Sequence, residues 1–378
     1  MKEWIEKRFD EHLELLTRLA AVPAPSHRED KRVAFLLKEL EKTGYAAFAD
    51  GAKNVIVPLG ETLPGKFTVY MAHTDVVFPD EDALPVRREG GRLYAPGVGD
   101  DTANVTAILR ILAYIKEKDL KPKQPLLFVL NSCEEGLGNL KGVREIMRAY
   151  EGRVREVVSF DCSMDEGFVV RAVGSERWRV TAKTQGGHSW GAFGRPNAIH
   201  RMAELVAKLY AQDVPKAENS RTTYNVGGIS GGTSINTIAP DCEMLYEYRS
   251  DDRRGLEAMR ESFKRLLAEA DSPDARFEAE LLGERPCGGS VDPVEQAGLI
   301  QRCRAVFAEV TGSEPACFAA STDANIPLSL GVPALTFGLY MGDGAHTREE
   351  WLDIESLKTG LLIGLKLVCG AHFEDVDI

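Results

Sequence analysis

The stretch KFTVYMAHTD, residues 66–75, decides how this chain folds. Its apolar run at 66–72 leads directly into a histidine, a threonine and an aspartate. A short, continuous apolar run of this kind is typical of a strand buried in an α/β sheet. Further runs of the same character occupy 125–131, 154–160 and 333–338. Helical patterns separate several of them, for example at 102–118 and 139–150, so the sequence predicts a layered α/β domain.

Potential metal ligands or acids follow four of these strands. His73 follows the first run, Glu134 and Glu135 follow the second, Asp161 the third, and His346 lies in a glycine-rich loop after the fourth. Taken singly, each has an ordinary explanation as a turn, capping or solvated residue. In open α/β sheets, however, ligands bind at the carboxyl ends of the strands. We therefore expect these side chains to converge on one place.

The residue types indicate a hydrolytic metal site. The proposed ligand set contains oxygen and imidazole donors but no thiolate, which suits Zn²⁺, with Co²⁺ or Mn²⁺ as alternatives; its members are His73, Asp100, Glu135, Asp161 and His346. Three carboxylates and one hydroxide would balance two divalent cations, and such a site lowers the pKa of water. Glu134 is then left as the general base. Asp75, two residues after His73 in an extended segment, can face the same site and orient His73 or contact the metal.

The length and pattern of the chain predict an inserted second domain. A single core rarely grows beyond about 250–300 residues, and this chain has 378. Residues 175–284 show the order β-α-β-β-α-β of a two-layer, ferredoxin-like unit. We therefore expect a catalytic domain in two parts, 1–174 and 285–378, interrupted by a lid domain at 175–284.

Composition excludes several other classes of protein. The net charge of −12 argues against nucleic acid or an anionic membrane as a partner.

The first 20 residues predict one amphipathic helix, with Trp4, Ile5, Phe9, Leu13 and Leu16 on one face, and not a signal peptide. No apolar stretch reaches the ~18 residues of a membrane span. The seven cysteines, without a CxxC pair, favour a reduced, cytoplasmic protein.

As a set, eight short segments resemble the M20 metallopeptidases. They occur in the family's order and span about residues 10–370: MAHTDVV, APGVGDDTAN, NSCEEGLGNLKG, SFDCS, GGHSWGAFGRPNA with GGTSINTIAP, STDAN and GDGAHTREEWLDIESL. The resemblance implies a mixed-sheet, three-layer catalytic domain of the zinc-exopeptidase type with an inserted α+β lid. The family contains aminotripeptidases, carboxypeptidases, dipeptidases and amino-acid deacylases, and the segments are most similar to the tripeptidase-type branch.

The resemblance also implies a role for each metal ligand. His73 and Asp161 would hold one ion, His346 and Glu135 the other, and Asp100 would bridge both. Glu134 would be the general base and Asp75 would support His73. The resemblance further implies a cis peptide between Asp100 and Asp101.

Three lid residues match substrate-binding positions of the family. His188 would steady the oxyanion of the tetrahedral intermediate, in many members from a partner subunit, although a surface histidine in a glycine-rich turn is the alternative. Asn236 and Arg249 would hold a substrate carboxylate, for which arginine is well suited. A salt bridge from Arg249 to Asp251 or Asp252 is the competing explanation.

Two positions depart from the family pattern. Thr102 stands where a lysine is common, and Glu247 stands where an aspartate is often found two residues before the lid arginine. The first departure leaves the ligands intact, whereas the second weakens the assignment of Arg249.

The function predicted is that of a cytoplasmic, two-metal exopeptidase that cleaves short peptides, with a homodimer through the lid as a family-level expectation. An N-acyl-amino-acid deacylase with the same chemistry is the main alternative. A non-catalytic binding protein that has kept the fold is a further alternative, which a full set of ligands argues against.

Overall fold

The computed structural model describes residues 1–374. It divides the chain into two compact units. The larger unit comprises Met1–Ala172 and the chain from Gly289 onward, and the smaller unit comprises Val173–Gly288. The inserted domain expected at 175–284 falls inside the smaller unit.

The helices lie in both units. In chain order they are α1 Lys2–Lys7, α2 Phe9–Ala20, α3 Asp30–Lys42, α4 Asn104–Glu117, α5 Lys141–Ala149, α6 Ala198–Tyr210, α7 Arg253–Ala270, α8 Pro293–Thr311, α9 Asn325–Ser329 and α10 Ser356–His372. Short single turns occur at Gly136–Gly138 and Met164–Glu166, and an irregular helical segment at Val98–Ala103 precedes α4.

The strands also lie in both units. In chain order they are β1 Phe48–Ala49, β2 Val55–Leu59, β3 Phe67–His73, β4 Arg87–Glu89, β5 Arg92–Tyr94, β6 Leu126–Asn131, β7 Val154–Phe160, β8 Phe168–Ala172, β9 Gly174–Lys183, β10 Gly187–His188, β11 Thr222–Gly231, β12 Thr237–Ile238, β13 Asp241–Ser250, β14 Arg276–Arg285, β15 Cys317–Ala320, β16 Ala334–Phe337, β17 Gly342–Asp343 and β18 Trp351–Asp353.

A mixed sheet forms the centre of the larger unit. Within residues 1–374 it has eight strands in the order β1-β2-β6-β3-β7-β16-β8-β15. The strands β6, β3, β7 and β16 are neighbours and run parallel, whereas β2 joins β6 and β16 joins β8 in the antiparallel sense. The four apolar runs of the sequence are therefore the four central strands, and their carboxyl ends lie at one edge.

Helices cover both faces of this sheet. Alternate residues of β3 point to opposite sides, as the period of a strand requires: Tyr70 and Ala72 pack with α4 and α10, and Val69 and Met71 pack with α5 and α9. The predicted α/β fold with a mixed sheet between two helical layers is confirmed. A second, smaller sheet of the larger unit, in the order β17-β18-β5-β4, has no counterpart in the sequence prediction.

The smaller unit has the predicted ferredoxin-like arrangement. Its antiparallel sheet follows the order β11-β13-β9-β14, and α6 and α7 pack on one face of it. The predicted order treats residues 236–249 as one strand, which was wrong, because the structure has two strands there, β12 and β13, interrupted at Ala239 and Pro240. Proline lacks the N–H that a continuous ladder needs.

The prediction of one N-terminal helix was also wrong. The helix breaks at Arg8, where φ is −110° and ψ is 11°. Trp4 and Ile5 of α1 belong to the same apolar cluster as Leu15 and Leu19 of α2, whereas Leu13 and Leu16 of α2 belong to a different cluster. The buried residues of α2 therefore belong to both clusters, and those of α1 belong to one.

Among the helices of residues 1–374, none is both long enough and apolar enough to cross a bilayer.

Candidate metal centre

The carboxyl ends of the central parallel strands carry the predicted ligands. His73 is the last residue of β3, Asp161 directly follows β7, and Glu134 and Glu135 come shortly after β6. His346 lies in the loop between β17 and β18, with a positive φ of 65°. Since β3, β6 and β7 run parallel, these side chains meet at one edge of the sheet.

The structure brings the five predicted ligands together in two overlapping groups. The donor atoms within each group lie within 4.8 Å of one another. One group consists of His73, Asp100 and Asp161, and the other of Asp100, Glu135 and His346. A further group joins Glu134 and Glu135 to His73.

Asp100 belongs to both ligand groups, and its two oxygens face different histidines. Oδ1 lies 2.9 Å from Nε2 of His73, and Oδ2 lies 3.1 Å from Nε2 of His346. The same nitrogen of His346 is 3.1 Å from Oε1 of Glu135, and Nε2 of His73 is 4.0 Å from Oδ1 of Asp161. The two carboxylate oxygens of Asp100 thus face one histidine from each ligand group.

The segment around Asp100 is irregular and tightly held. The peptide between Asp100 and Asp101 is cis, as the family resemblance implied. Asp101 turns away from the ligand groups: its Oδ2 accepts the backbone N–H of His73 at 2.8 Å, and its Oδ1 accepts the side-chain amide of Asn104 at 2.6 Å. Asp101 therefore fixes the end of β3 that carries His73.

Asp75 contacts His73 mainly through its backbone. Nδ1 of His73 lies 3.1 Å from the carbonyl oxygen of Asp75 and 3.5 Å from its carboxylate oxygen Oδ1. When Nδ1 donates to this carbonyl, the lone pair of Nε2 faces Asp100 and Asp161, which is the tautomer that a metal requires.

The carboxylate of Asp75 also holds the segment of Glu134 and Glu135. Oδ1 accepts the N–H of Glu134 at 2.9 Å, and Oδ2 accepts the N–H of Glu135 at 3.0 Å. The hydroxyl of Ser26 donates to Oδ2 at 2.7 Å. One fully buried carboxylate therefore connects the end of β3 with the glutamate pair after β6.

Burial and mutual repulsion perturb the acids of the cluster. Burial, together with the charge of Asp100, raises the pKa of Glu135 to about 8, and burial raises the pKa of Asp161 to about 7. Burial opposes ionisation of Asp100 as well, but hydrogen bonds from His346 and His73 hold its pKa below the ordinary value. Hydrogen bonds to Asp100 and Glu135 raise the pKa of His346 to about 11.

The chemistry of the donor set fits divalent cations. Closely packed, desolvated carboxylates need positive charge nearby to stay ionised. Two divalent ions held by the same atoms would supply that charge, and the oxygen and imidazole donors are those preferred by hydrolytic zinc, cobalt or manganese.

The sequence matches the profile of Peptidase family M20/M25/M40 over residues 69–369. The chain belongs to this family. It is therefore a hydrolase of the peptidase and amidohydrolase type, which the M20 resemblance of its motifs had predicted.

Individual M20 relatives differ in their reactions. The chain is 27% identical over 369 residues to acetylornithine deacetylase of Myxococcus xanthus, an alignment that covers 90% of this chain and 92% of the relative. Its fold is similar to that of a tripeptidase from Staphylococcus aureus, with a TM-score of 0.75, 21% identity and coverage of 95% and 97% of the two chains. It is also similar to a dinuclear metal-binding M20 peptidase of Bacillus subtilis, with a TM-score of 0.66, 14% identity and coverage of 96% and 98%.

The predicted substrate-binding residues of this M20 chain all belong to the smaller unit. His188 ends β10, which pairs with β12, and the N–H of Ser189 donates to the carbonyl oxygen of Asn236 at 2.9 Å. The structure thus places His188 and Asn236 side by side. His188 is exposed, and its Nδ1 accepts the backbone N–H groups of Trp190 and Gly191 at 3.2 and 3.4 Å.

Arg249 has a partner that the sequence interpretation did not name. Its Nε and Nη2 donate to the two carboxylate oxygens of Glu247 at 3.1 and 3.0 Å, whereas Asp251 or Asp252 had been the competing partners. The other departure from the family pattern is accommodated locally, because the hydroxyl of buried Thr102 donates to the carbonyl oxygen of Gly97 at 2.5 Å.

Several buried polar residues of the M20 site escaped the sequence interpretation. Besides Asp101 and Asn104, they include Arg32, which donates to the carbonyl oxygen of Thr74 at 2.8 Å, and Asp323, which accepts the side-chain amide of Asn131 at 2.6 Å. Asn104 and Asp323 lie within the quoted motifs APGVGDDTAN and STDAN, so the motifs were the available signal.

Proposed function

We propose that this protein is a two-metal exopeptidase that hydrolyses the amide bonds of short peptides. The observation that carries the proposal is the position of Asp100, whose two oxygens face His73 and His346 separately. His73 and Asp161 would hold one divalent ion, and Glu135 and His346 the other. We expect Zn²⁺, with Co²⁺ or Mn²⁺ as alternatives.

When bound, two such ions polarise an amide carbonyl and lower the pKa of water, which provides a nucleophile at neutral pH. Glu134 lies beside Glu135 and is 5% exposed. It would take the proton of the attacking water and deliver it to the leaving amine. Asp75 would hold Glu134 in place through the hydrogen bond to its backbone N–H.

The lid residues would bind substrate in this proposal. His188 would donate a hydrogen bond to the oxyanion, and Asn236 and Arg249 would bind a substrate carboxylate. The paired contact between Arg249 and Glu247 has the two-pronged geometry that an arginine uses for any carboxylate. A substrate carboxylate would therefore compete with Glu247 for Arg249.

Deacylation of N-acyl amino acids is the second candidate. The similarity to acetylornithine deacetylase over 90% of the chain supports it. Metal ligands and general base would be the same in both reactions, so only substrates separate them. A non-catalytic binding role is disfavoured because every predicted donor position is filled and the donors cluster.

A substrate panel tests the proposal. The purified chain, loaded with zinc or cobalt, is offered di- and tripeptides, N-acetyl amino acids and N-succinyl amino acids, with the Glu134→Gln variant prepared in parallel to reveal contaminating peptidases. Cleavage of free peptides by the wild type alone supports the exopeptidase. Cleavage of the acyl compounds alone would show that the protein is a deacylase. If neither class of substrate were cleaved, the non-catalytic binding role would be favoured.

Two further expectations belong to this proposal. We expect the enzyme to act in the cytoplasm and to form a homodimer through the smaller unit. Light scattering on the purified protein would test the second expectation, and a monomer at micromolar concentration would contradict it.

A further inference from the structure

Two adjacent glutamates after His346 have opposite environments. Glu349 is exposed and pairs with Arg87 at 2.7 Å. Glu350 is 2% exposed and lies directly before β18. An acid is rarely buried without partners that satisfy its oxygens, so the partners of Glu350 indicate what it does.

The carboxylate of Glu350 binds three amides of the turn that leads to Asp100. Oε1 accepts the N–H groups of Gly99 and Asp100 at 2.8 and 2.9 Å, and Oε2 accepts the N–H of Gly97 at 2.8 Å. The backbone carbonyl of Glu350 also accepts the N–H of Ala95 at 3.2 Å. One side chain therefore fixes the backbone on the approach to the bridging carboxylate.

The side chains of this segment support the turn at one point, where the hydroxyl of Thr102 donates to the carbonyl oxygen of Gly97. Gly97 has a φ of +70°, and a Cβ added there would come within 2.4 Å of Val76. A Cβ added at Gly99 would come within 2.5 Å of Tyr340. Larger residues therefore do not fit at these two positions, and Glu350 is the side chain that accepts three N–H groups of the turn.

Glu350 also connects the turn with the second ion site. It lies four residues after His346 on the same segment, and His346 contacts the far oxygen of Asp100 at 3.1 Å. A shift of Glu350 would therefore change the placement of Asp100 and of the loop that carries His346. In metal proteins, residues that orient the ligands in this way typically affect metal affinity by about 10–100-fold.

We propose that Glu350 is a positioning residue for the two-ion site, which holds Asp100 so that its oxygens face both histidines. The inference rests on the proposed function, because it presumes that the cluster binds two ions. Glu350 itself is not among the donor atoms of either ligand group.

Metal titration of three variants tests this inference. Co²⁺ is titrated calorimetrically into metal-free wild type, Glu350→Gln, Glu350→Asp and the neighbouring control Glu349→Gln, and the visible absorption of bound cobalt is recorded. We expect two ions in the wild type and in Glu349→Gln. In Glu350→Gln we expect at least one ion to bind about 10–100-fold more weakly, with an altered cobalt spectrum. Glu350→Asp, which keeps the charge but is one methylene shorter, should lie between.

The outcomes separate a positioning role from a general structural one. Equal affinities and spectra in wild type and Glu350→Gln would overturn the inference alone. It would also be overturned if both Glu350 variants were unfolded without metal by circular dichroism, since the residue would then serve the fold. A wild type that binds no ion would instead remove the proposed function and this inference together.

Discussion

The carboxylate oxygen Oδ1 of Asp75 accepts the backbone N–H of Glu134 at 2.9 Å. Its second oxygen accepts the next N–H, that of Glu135. An aspartate expected to support a histidine ligand therefore also holds the proposed general base and one of its neighbouring ligands. This double role makes Asp75 a sensitive position in the site.

Replacement of Asp75 by Asn should lower kcat by about 10–100-fold while the protein still binds two ions at saturating metal. An asparagine offers one acceptor oxygen, so one of the two N–H groups would face an amide N–H₂. The variant is assayed with the peptide that the substrate panel identifies as best, and its metal content is measured. Asp119→Asn, which affects an exposed pair with Lys121, is the matched control. A kcat within about twofold of the wild type would contradict the role.

Replacement of Glu134 by Gln should separate metal binding from turnover. Glutamine keeps the shape of the side chain but cannot accept the proton of the attacking water, so turnover should fall by about 10³-fold. Metal content should stay at the wild-type value, because none of the predicted ligands changes. Glu349→Gln serves as the surface control. Activity that survives in Glu134→Gln would refute the general base.

The central strands and the ligand positions were predictable because both signals are local. A short apolar run, such as 66–72, indicates a strand without knowledge of its neighbours. A polar residue directly after it, such as His73 or Asp161, lies at the strand's carboxyl end wherever the strand falls in the sheet. Parallel neighbours then bring these ends together, as the pairing of β3 with β6 and β7 shows.

The residues that hold the ligands could not be predicted in this way. Glu349 and Glu350 are identical in type and adjacent, and only the tertiary fold decides that one is exposed and the other buried. Nothing in the local sequence around Asp101 indicates that it accepts the N–H of His73, 28 residues away. The break at Arg8 was hidden as well, because the apolar spacing of α1 and α2 continues across it.

Replacement of Arg32 by Met should destabilise the protein by about 3 kcal/mol. Arg32 is 1% exposed and donates to the carbonyl oxygens of Val22 and Thr74 at 3.0 and 2.8 Å. Burial lowers its pKa to about 10, and the charges of Asp75 and Asp101 oppose that shift. Methionine would leave two carbonyls without a donor and remove the positive charge near buried acids.

Urea unfolding of the metal-free protein measures this loss, with Arg28→Met as the control. Arg28 is exposed and pairs with Glu81 at the surface, so its replacement should change the free energy of unfolding by less than about 0.5 kcal/mol. If Arg32→Met were as stable as this control, the positive charge of Arg32 would not stabilise the buried carboxylates of Asp75 and Asp101.

Replacement of His12 by Leu should reduce the sensitivity of the protein to acid. His12 is 1% exposed in α2, and within residues 1–374 neither ring nitrogen has a hydrogen-bond partner. Burial, assisted by the positive charge of Arg110, lowers its pKa to about 3. The unfolded chain, with an ordinary histidine pKa of about 6.5, therefore binds a proton at mild acidity that the folded chain does not.

The sign of the effect follows from this difference. The contribution of neutral His12 to the free energy of unfolding is complete above about pH 6.5. It is lost as the pH falls toward 3, because protons bind preferentially to the unfolded state. Between pH 8 and pH 5 the loss due to His12 should be about 2 kcal/mol. Urea unfolding of metal-free wild type and His12→Leu at both pH values measures this loss, because the two proteins share all other titrating groups. His200→Leu, at an exposed position, is the control, and its stability should depend on pH as that of the wild type does. If the stability of His12→Leu showed the same pH dependence as the wild type, His12 would bind its proton in the folded protein as readily as in the unfolded chain.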